Sequence, residues 1–538
     1  MDSVHAFELV LGLLVVIVAL TALAEKIGVP YPIALVLGGL VLALIPGLPD
    51  ARLNPDLVFI LFLPPVLYGA AWTTSWRDFR RNMRPILLLA LGLTFFTTLV
   101  VALVAHALIP GLTLAGGFVL GAIVSPPDAA AATAVAQRLG LPRRIVTILE
   151  GESLVNDAMG LILYQFAVAA VVTGAFSLPS AVGQFFYAGL GGVAVGLGLG
   201  WLAGQAQCRL RHVPAVEILF TLLTAYAVYL AAEAVHVSGV LAAVTAGLYS
   251  GWIGPERLSA ETRIQGVAVW NMFIFLLNGL IFILIGLQLR GVLAGLMSDR
   301  SWTQLALLGG AISFVTIAVR MIWIFPSAYL PRLIPSVGRK DPMPPAKVLV
   351  VIGWTGMRGI VTLAAALALP TLLAGGQPFP QRDLIVFLSF AVILATLVLQ
   401  GLTLPPMIRA FRLKDDGEAE REELEARIHA ARAAIASLET LANQDSREAP
   451  PDALVESFRA RYQQKVDELL RDQFEAGAKD EAAPASRLSV FPWIQRLRLS
   501  GLQAERRAII DLRAHGQIGD EVMHKIEREL DLEESRLK

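Results

Sequence analysis

The sequence contains little charge and a single cysteine. Only 16% of its 538 residues are charged, and 44 basic residues balance 44 acidic ones, so the net charge indicates no nucleic-acid partner. Cys208 stands alone, which excludes an internal disulfide and a thiolate metal cage. The sequence also lacks a phosphate-binding loop and the HExxH and GxSxG motifs. We therefore expect neither an enzyme nor a cofactor, and no direct use of ATP.

Apolar residues make up 56% of the chain, a fraction above that of ordinary soluble proteins. A run of about 20 apolar residues spans the hydrocarbon core of a bilayer. The first run lacks the basic segment and cleavage site of a signal peptide, so we expect it to be retained as a transmembrane helix. Thirteen spans are predicted, at residues 6–25, 31–48, 55–74, 85–108, 113–137, 145–173, 181–206, 214–234, 237–252, 267–289, 303–330, 348–371 and 383–410.

Lysine and arginine are concentrated in alternate loops between these spans, for example at residues 77–84, 138–144 and 332–347. Because basic loops stay on the cytoplasmic side, these loops are predicted to be cytoplasmic. An odd number of spans then places the N-terminus outside and the C-terminus inside. We expect a multi-pass protein of the inner (plasma) membrane, surrounded by lipid.

The composition changes after about residue 411. A charged stretch at 415–423 opens a region in which apolar residues recur at helical spacing. We predict a transmembrane domain at 1–411 and a helical cytoplasmic tail at 412–538, with flexible joints at 446–451 and 476–485. The charge runs of the tail are predicted to be solvated helix faces, and binding of a regulatory ligand or partner is the alternative.

Pro126 and Pro127 lie inside the fifth predicted span, directly before Asp128. Each proline removes a backbone donor, so the carbonyls of Ala122 and Ile123 lose their helical partners. At membrane depth such groups are tolerated where they face protein or a wet cavity. Free carbonyls beside a carboxylate form a recurring type of ion site, which these residues therefore predict. A purely structural kink is the alternative.

The sixth span carries a polar cluster at Glu152, Ser153, Asn156 and Asp157. Glu152 and Asn156 are four positions apart, as are Ser153 and Asp157, so all four lie on one broad helix face. Oxygen ligands suit a hard cation, and a proton competes with the cation for the same carboxylate. Asp157 is thus predicted to exchange a proton for a metal ion. Hydrogen bonding between helices is the alternative, which is usual for Asn and Ser in membranes.

Arg320 and Arg358 lie inside the eleventh and twelfth spans. An unpaired arginine there is strongly unfavourable, so each is expected to meet a carboxylate, and Glu152 and Asp128 are available. We interpret these as structural ion pairs. The glycines around Arg358 permit local unwinding, and Gly356 is predicted as the site of a second helix break.

Together these motifs resemble those of the monovalent cation/proton antiporters of the first group, the NhaP and NHE type. Residues 125–132 followed by 151–157 are similar to that family's paired ion-site helices. Residues 62–68 and 400–406 are similar to its third and last helices, and 356–359 to its twelfth. The resemblance extends over about 6–412.

The resemblance implies a fold of thirteen helices with inverted repeats and two crossed unwound helices, a homodimer, and elevator-like alternating access. It implies that Asp157 is the central carboxylate and that Asn156 is its structural neighbour. It also places Asp128 at the crossing and Ser153 among the ion ligands. An Asn before the Asp, in place of a second Asp, marks the electroneutral branch of the family.

The resemblance further implies that Glu152 pairs with Arg320 and that Arg358 balances the crossing, against Asp128. The chain departs from the family pattern at two positions, where Pro127 and Ala129 replace the usual Thr and Pro. In that pattern the Thr gives an oxygen to the ion, so this ligand is absent here. The departure leaves exchange intact and puts ion selectivity in question.

The sequence is therefore interpreted as a secondary antiporter that exchanges Na+, K+ or Li+ for H+ with 1:1 stoichiometry. Two alternatives remain at this stage. A Na+-coupled symporter of an organic anion could use a similar broken-helix fold, but would need further polar contacts for its solute. A membrane sensor of ions or pH could use the tail as its output, and would bind ions without flux.

Overall fold

The computed structural model describes residues 3–45, 55–174, 177–210, 213–294, 296, 301–339, 341, 343–373, 377–413, 417–442, 452–477 and 532. In these ranges the regular structure is helical, with one isolated β-bridge between Leu372 and Pro378. The α-helices are α1 Ser3–Ile27, α2 Tyr31–Ala43, α3 Pro55–Thr73, α4 Trp76–Arg81, α5 Met83–Leu87, α6 Thr94–Leu108, α7 Leu114–Val124, α8 Ala129–Arg138, α9 Arg143–Thr173, α10 Leu178–Gln207, α11 Pro214–Ala234, α12 Gly239–Arg257, α13 Ala260–Ala294, α14 Trp302–Tyr329, α15 Pro335–Gly338, α16 Ala346–Trp354, α17 Ile360–Leu367, α18 Arg382–Ala395, α19 Gly401–Phe411, α20 Glu418–Ala442 and α21 Asp452–Gly477. Two π-helical segments, Leu88–Leu93 and Thr396–Gln400, and the 3-10 turn Leu330–Leu333 complete the helical structure.

Eight helical stretches of the described residues are long and apolar enough to cross a membrane, and four shorter apolar helices accompany them. Each of the thirteen predicted spans coincides with one helix, or with two helices divided by a break or a π-helical segment. Residues 46–48 of the second predicted span lie outside the described ranges. The prediction of an all-α integral membrane protein with about thirteen spans is confirmed.

Side-chain caps fix where several helices begin. Ser75, Thr113, Ser238 and Ser301 each accept a hydrogen bond from the backbone N–H three residues later, at the starts of α4, α7, α12 and α14. Such a cap satisfies one of the N–H groups that the first turn leaves free and contributes about 1 kcal/mol. The short loops between spans are thereby set by local sequence.

The membrane helices pack as two groups. The α13 group consists of α1, α2, α3, α11, α12 and α13, and the α9 group consists of α5 to α9, α14 and α16 to α19. α10 packs against α11 and α12. The α9 group contains two broken helices, α7 with α8 and α16 with α17, one from each half of the membrane region. The functional residues predicted from the sequence all lie in this group.

The chain divides into two compact units, Met1–Asp416 and Gly417–Lys538. In the second unit, α20 and α21 pack together through Ile428, Ala431 and Val466. The predicted helical character of the tail is therefore observed where the tail is described. The predicted joint at 446–451 and residues 478–485 of the second joint lie outside the described ranges.

Candidate ion-binding site

The first helix break is at residues 125–128, between the end of α7 and the start of α8. Ser125 Oγ donates a hydrogen bond of 3.1 Å to the carbonyl of Ala122, one of the two acceptors that lose a partner to the prolines. Asp128 is the last residue of the break, and its backbone N–H donates to the carbonyl of Met357 at 2.7 Å. The break is thus held by a hydrogen bond to the other unwound segment.

The second break separates α16 from α17 at residues 355–359, as Gly356 predicts. Arg358 lies in this segment and is 1% exposed. Its Nε donates to the carbonyl of Val124 at 3.0 Å, and its Nη1 donates to the carbonyl of Gly356. Its backbone N–H donates to Thr396 Oγ1 at 3.1 Å. The guanidinium therefore lies where the two unwound segments cross.

The expected ion pair between Arg358 and Asp128 is not among the contacts of the described residues. The reason lies in the crossing. In a continuous helix Asp128 N would donate to the carbonyl of Val124, four residues earlier. Because that N–H donates to Met357, the carbonyl of Val124 is freed and accepts from Arg358. Arg358 thus donates its hydrogen bonds to the backbone carbonyls of Val124 and Gly356 rather than to the carboxylate of Asp128.

The carboxylate of Asp128 packs against the backbone of Gly359, where an added Cβ would lie only 2.0 Å from Asp128 Oδ2. Gly359 is the N-cap of α17, and Asp128 directly precedes α8. Helix N-termini carry partial positive charge from their free N–H groups. Asp128 is therefore placed where two half-helix dipoles favour its negative charge.

Two side chains of α9 form hydrogen bonds with the backbone at the first break. Asn156 is fully buried, and its Nδ2 donates to the carbonyl of Pro127 at 3.1 Å. Ser153 Oγ accepts from the backbone N–H of Ala129 at 3.3 Å. Ser153 also lines the cavity described next. Of the two, the structure places Ser153 at the cavity and Asn156 behind it.

Asp157 is 6% exposed and lines a cavity of about 360 Å³ between the two helix groups. Asp128 and Ser153 line the same cavity. Among the described ion pairs, none involves Asp157. Three oxygen-bearing side chains thus converge on one cavity, which is the donor chemistry of a hard cation site.

Glu152 and Arg320 form a bidentate ion pair away from this cavity. Arg320 Nη1 bonds to Glu152 Oε1, and Nη2 bonds to Oε2 at 2.8 Å. Nη2 also donates to the carbonyl of Ile352 at 3.1 Å. The two side chains are 1% and 2% exposed, so this pair is geometrically separate from the cavity that Asp157 lines.

The α13 group contributes polar residues to the cavity that the sequence reasoning missed. Tyr31, Asn271 and Asn278 line it opposite the carboxylates. Asn278 is 5% exposed, and its Oδ1 has no hydrogen-bond partner within the part of the chain that the structure describes. Asn271 and Asn278 are seven residues apart, two turns along one helix face, and this spacing was the signal available in the sequence.

A second cavity of about 550 Å³ lies on the other side of Asp157 along α9. It is lined by Ala158, Leu161 and Gln165 from this helix. Glu233 and His236 line it from the side of α11. Because Asp157 lines the first cavity and the next residue, Ala158, lines the second, the two cavities approach each other at this point of α9.

Residues 12–410 match the family of transmembrane sodium/hydrogen exchangers. The chain belongs to this family. The exchanger is 34% identical over 537 residues to an uncharacterised Na+/H+ exchanger of Mycobacterium tuberculosis, covering 99% of this chain and 96% of that protein. It is 31% identical over 530 residues to a sodium, potassium, lithium and rubidium/H+ antiporter of Bacillus subtilis, covering 96% and 76%.

The fold of the exchanger matches that of MjNhaP1, a sodium proton antiporter from Methanocaldococcus jannaschii. The TM-score is 0.60 at 20% sequence identity, covering 77% of this chain and 99% of that one. The family predicted from the motifs and the predicted antiporter fold are both confirmed. The exchanger is therefore a multi-pass membrane protein of the cation/proton antiporter family.

Proposed function

We propose that the protein exchanges one monovalent cation, Na+, K+ or Li+, for one H+ across the plasma membrane. The observation that carries this proposal is the placement of Asp157. It is buried, it faces the cavity beside the helix crossing, and no ion pair of the described residues involves it. A carboxylate in that position binds a cation or a proton, and the two exclude each other.

Electroneutral exchange follows from the number of working carboxylates. Asn156 is neutral and bonds to the carbonyl of Pro127, and Glu152 is neutralised by Arg320. Asp128 lies at two helix N-termini, which favour its ionised form throughout the cycle. Asp157 alone then changes its charge, so one proton balances one cation.

Alternating access is supported by the two cavities that approach Asp157. The first extends to Thr73 and Glu150, near the basic loops at 77–84 and 138–144. Since basic loops are cytoplasmic, this cavity is proposed as the cytoplasmic approach to Asp157, with the N-terminus outside and the C-terminus inside. The α9 group would carry Asp157 past the α13 group in an elevator-like step within a homodimer.

Competition between ions gives a test of this mechanism. The apparent cation affinity is expected to weaken as pH falls through the working pKa of the site, approaching about tenfold per pH unit, the limit for one competing proton. The sign follows because the protonated carboxylate offers no charge to the cation. Exchange in proteoliposomes, measured with Na+ and K+ at several pH values and driven by a proton gradient alone, checks this slope.

An affinity that does not change with pH would mean separate sites for cation and proton. Cation uptake that requires an organic anion would favour the symporter, and binding without flux would favour the sensor. The comparison of Na+ with K+ in the same assay also gives the selectivity, which Pro127 and Ala129 leave open.

We propose that Asn278 supplies the oxygen that the missing Thr would provide. It is buried, it lines the cavity and its Oδ1 is unpartnered among the described residues. Asn278→Leu is expected to weaken the apparent Na+ affinity about tenfold, the effect of losing one ligand worth about 1.4 kcal/mol. The measurement is the Na+ concentration for half-maximal exchange at a fixed, alkaline pH.

Asn271→Leu is the matched control, because Asn271 is on the same helix but exposed at the mouth of the cavity. It should leave the half-maximal concentration unchanged. Equal affinities in the two variants would remove Asn278 from the ligand set.

The tail is assigned a regulatory role in this proposal. The membrane unit, Met1–Asp416, contains all the residues invoked for exchange, and the tail unit is compact by itself. Residues 412–538 are therefore proposed to adjust the rate of exchange, or dimer stability, through a ligand or partner of the helical hairpin α20–α21.

A further inference from the structure

A third cavity lies where α9 and α16 begin. Its volume is about 290 Å³, and it is enclosed by α5, α9, α14, α16 and the loops before them. Its walls are mainly apolar side chains, among them Leu89, Ile145, Ile148, Ile324, Val348 and Leu349. Asp157 and the other proposed ion ligands do not line it. It is therefore distinct from the exchange site.

Three arginines meet one carboxylate beside this cavity, and two of them, Arg144 and Arg332, line it. Asp341 accepts from Arg84 at 2.6 Å, from Arg144 at 2.7 Å and from Arg332 at 2.7 Å. Burial alone would raise the pKa of Asp341, but the hydrogen bond from Arg144 and the three positive charges lower it below its usual value. The carboxylate is ionised at neutral pH, so the four side chains carry a net charge of about +2.

Arg332 has donor capacity that the carboxylate does not use. It is 8% exposed, it lines the cavity, and its Nε has no hydrogen-bond partner within the described ranges. Its Nη1 donates to the carbonyl of Ala328. A buried guanidinium with an unpaired N–H is unfavourable unless an acceptor completes it.

Two helix N-termini add partial positive charge. Pro142 and Pro345 are the N-caps of α9 and α16, neither helix has a side-chain cap, and both prolines line the cavity. The N–H groups of Ile145 and Val348 donate to the carbonyls of these prolines, and the first turn of each helix carries partial positive charge. Converging helix N-termini and arginines form a recognised arrangement for binding an anion.

We propose that this cavity binds an amphipathic anion, an oxyanion head group carried on an apolar chain. The excess positive charge and the free Nε–H of Arg332 recognise the head group. A bare inorganic anion would leave the apolar walls in contact with water, whereas an anion with an acyl chain would cover them. An acidic phospholipid and a free long-chain carboxylate share this chemistry.

Arg144→Gln tests the proposal. Arg144 is half-exposed, so the variant is expected to fold, and it lines the cavity. Arg143→Gln is the matched control: Arg143 precedes it on α9, pairs with Asp78 at 2.9 Å and does not line the cavity. The full chain in neutral detergent is titrated with phosphatidylglycerol, oleate, phosphatidylcholine and inorganic phosphate, and binding is read by native mass spectrometry and thermal unfolding.

Phosphatidylglycerol or oleate is expected to bind the unaltered protein and the Arg143→Gln variant alike, and to bind Arg144→Gln at least tenfold more weakly. Which of the two binds identifies the source of the head group. Equal weakening in both variants, equal binding of phosphatidylcholine, or full stabilisation by inorganic phosphate alone would overturn the proposal. Because the readout is binding, the result does not depend on the proposed exchange reaction.

Discussion

Asp157→Asn is expected to reduce cation-dependent proton movement to the level of liposomes without protein. The substitution keeps the size of the side chain and its place at the cavity. An amide neither takes up a proton near neutral pH nor carries the charge that balances a cation. Both half-reactions of the proposed exchange are therefore lost together, which no other single substitution in the cavity should achieve.

The measurement is the dissipation of an imposed pH gradient in proteoliposomes after addition of Na+ or K+. Asp383→Asn makes the same chemical change on α18, at a side chain that is 58% exposed and outside the cavity. This control should exchange at the unaltered rate. Exchange at that rate in Asp157→Asn would refute the assignment of the central carboxylate.

The second large effect is a loss of stability, which we expect from Glu152→Gln. The variant leaves the charge of Arg320 buried, at 1% exposure, without its carboxylate. Removing one partner of a buried ion pair typically costs about 3–5 kcal/mol. Thermal unfolding in detergent, or the yield of folded protein after mild heating, should report the loss.

Removing both charges should recover much of that stability. Glu152→Leu combined with Arg320→Leu replaces the pair by apolar groups, which is often close to neutral in a protein interior. The pair of Arg427 and Glu423 on α20, whose side chains are 59% and 61% exposed, offers the contrast. Arg427→Gln should change stability by less than about 1 kcal/mol. If the double variant loses as much stability as the two single variants added together, the pair contributes more than mutual neutralisation.

Much of this arrangement could be predicted from the sequence because few residue types are tolerated at membrane depth. Consecutive prolines cannot continue a helix, so the break at Pro126 and Pro127 follows from backbone chemistry. A buried arginine needs a carboxylate, so Arg320 is expected to meet Glu152 or Asp128, and the resemblance to the antiporter family implies Glu152, 168 positions away. The break and the need for a carboxylate follow from local rules and charge balance alone.

The partner of Arg358 could not be predicted in the same way. A guanidinium accepts either a carboxylate or a carbonyl, and the choice depends on which acceptors the crossing sets free. The carbonyl of Val124 is free to accept from Arg358 because the backbone N–H of Asp128 donates to Met357 instead. That hydrogen bond is a tertiary contact. Asn278 was missed for a related reason, since an Asn in a membrane helix usually serves helix packing.

The crossing also constrains how the protein is made. The hydrogen bonds that complete the first break come from Met357 and Arg358, more than two hundred residues later in the chain. While the first half is being inserted, those groups are not yet in the membrane, and the carbonyl of Val124 must be satisfied by water or left unpaired. The crossing therefore cannot form during synthesis of the N-terminal half, and it is completed only when the twelfth span enters.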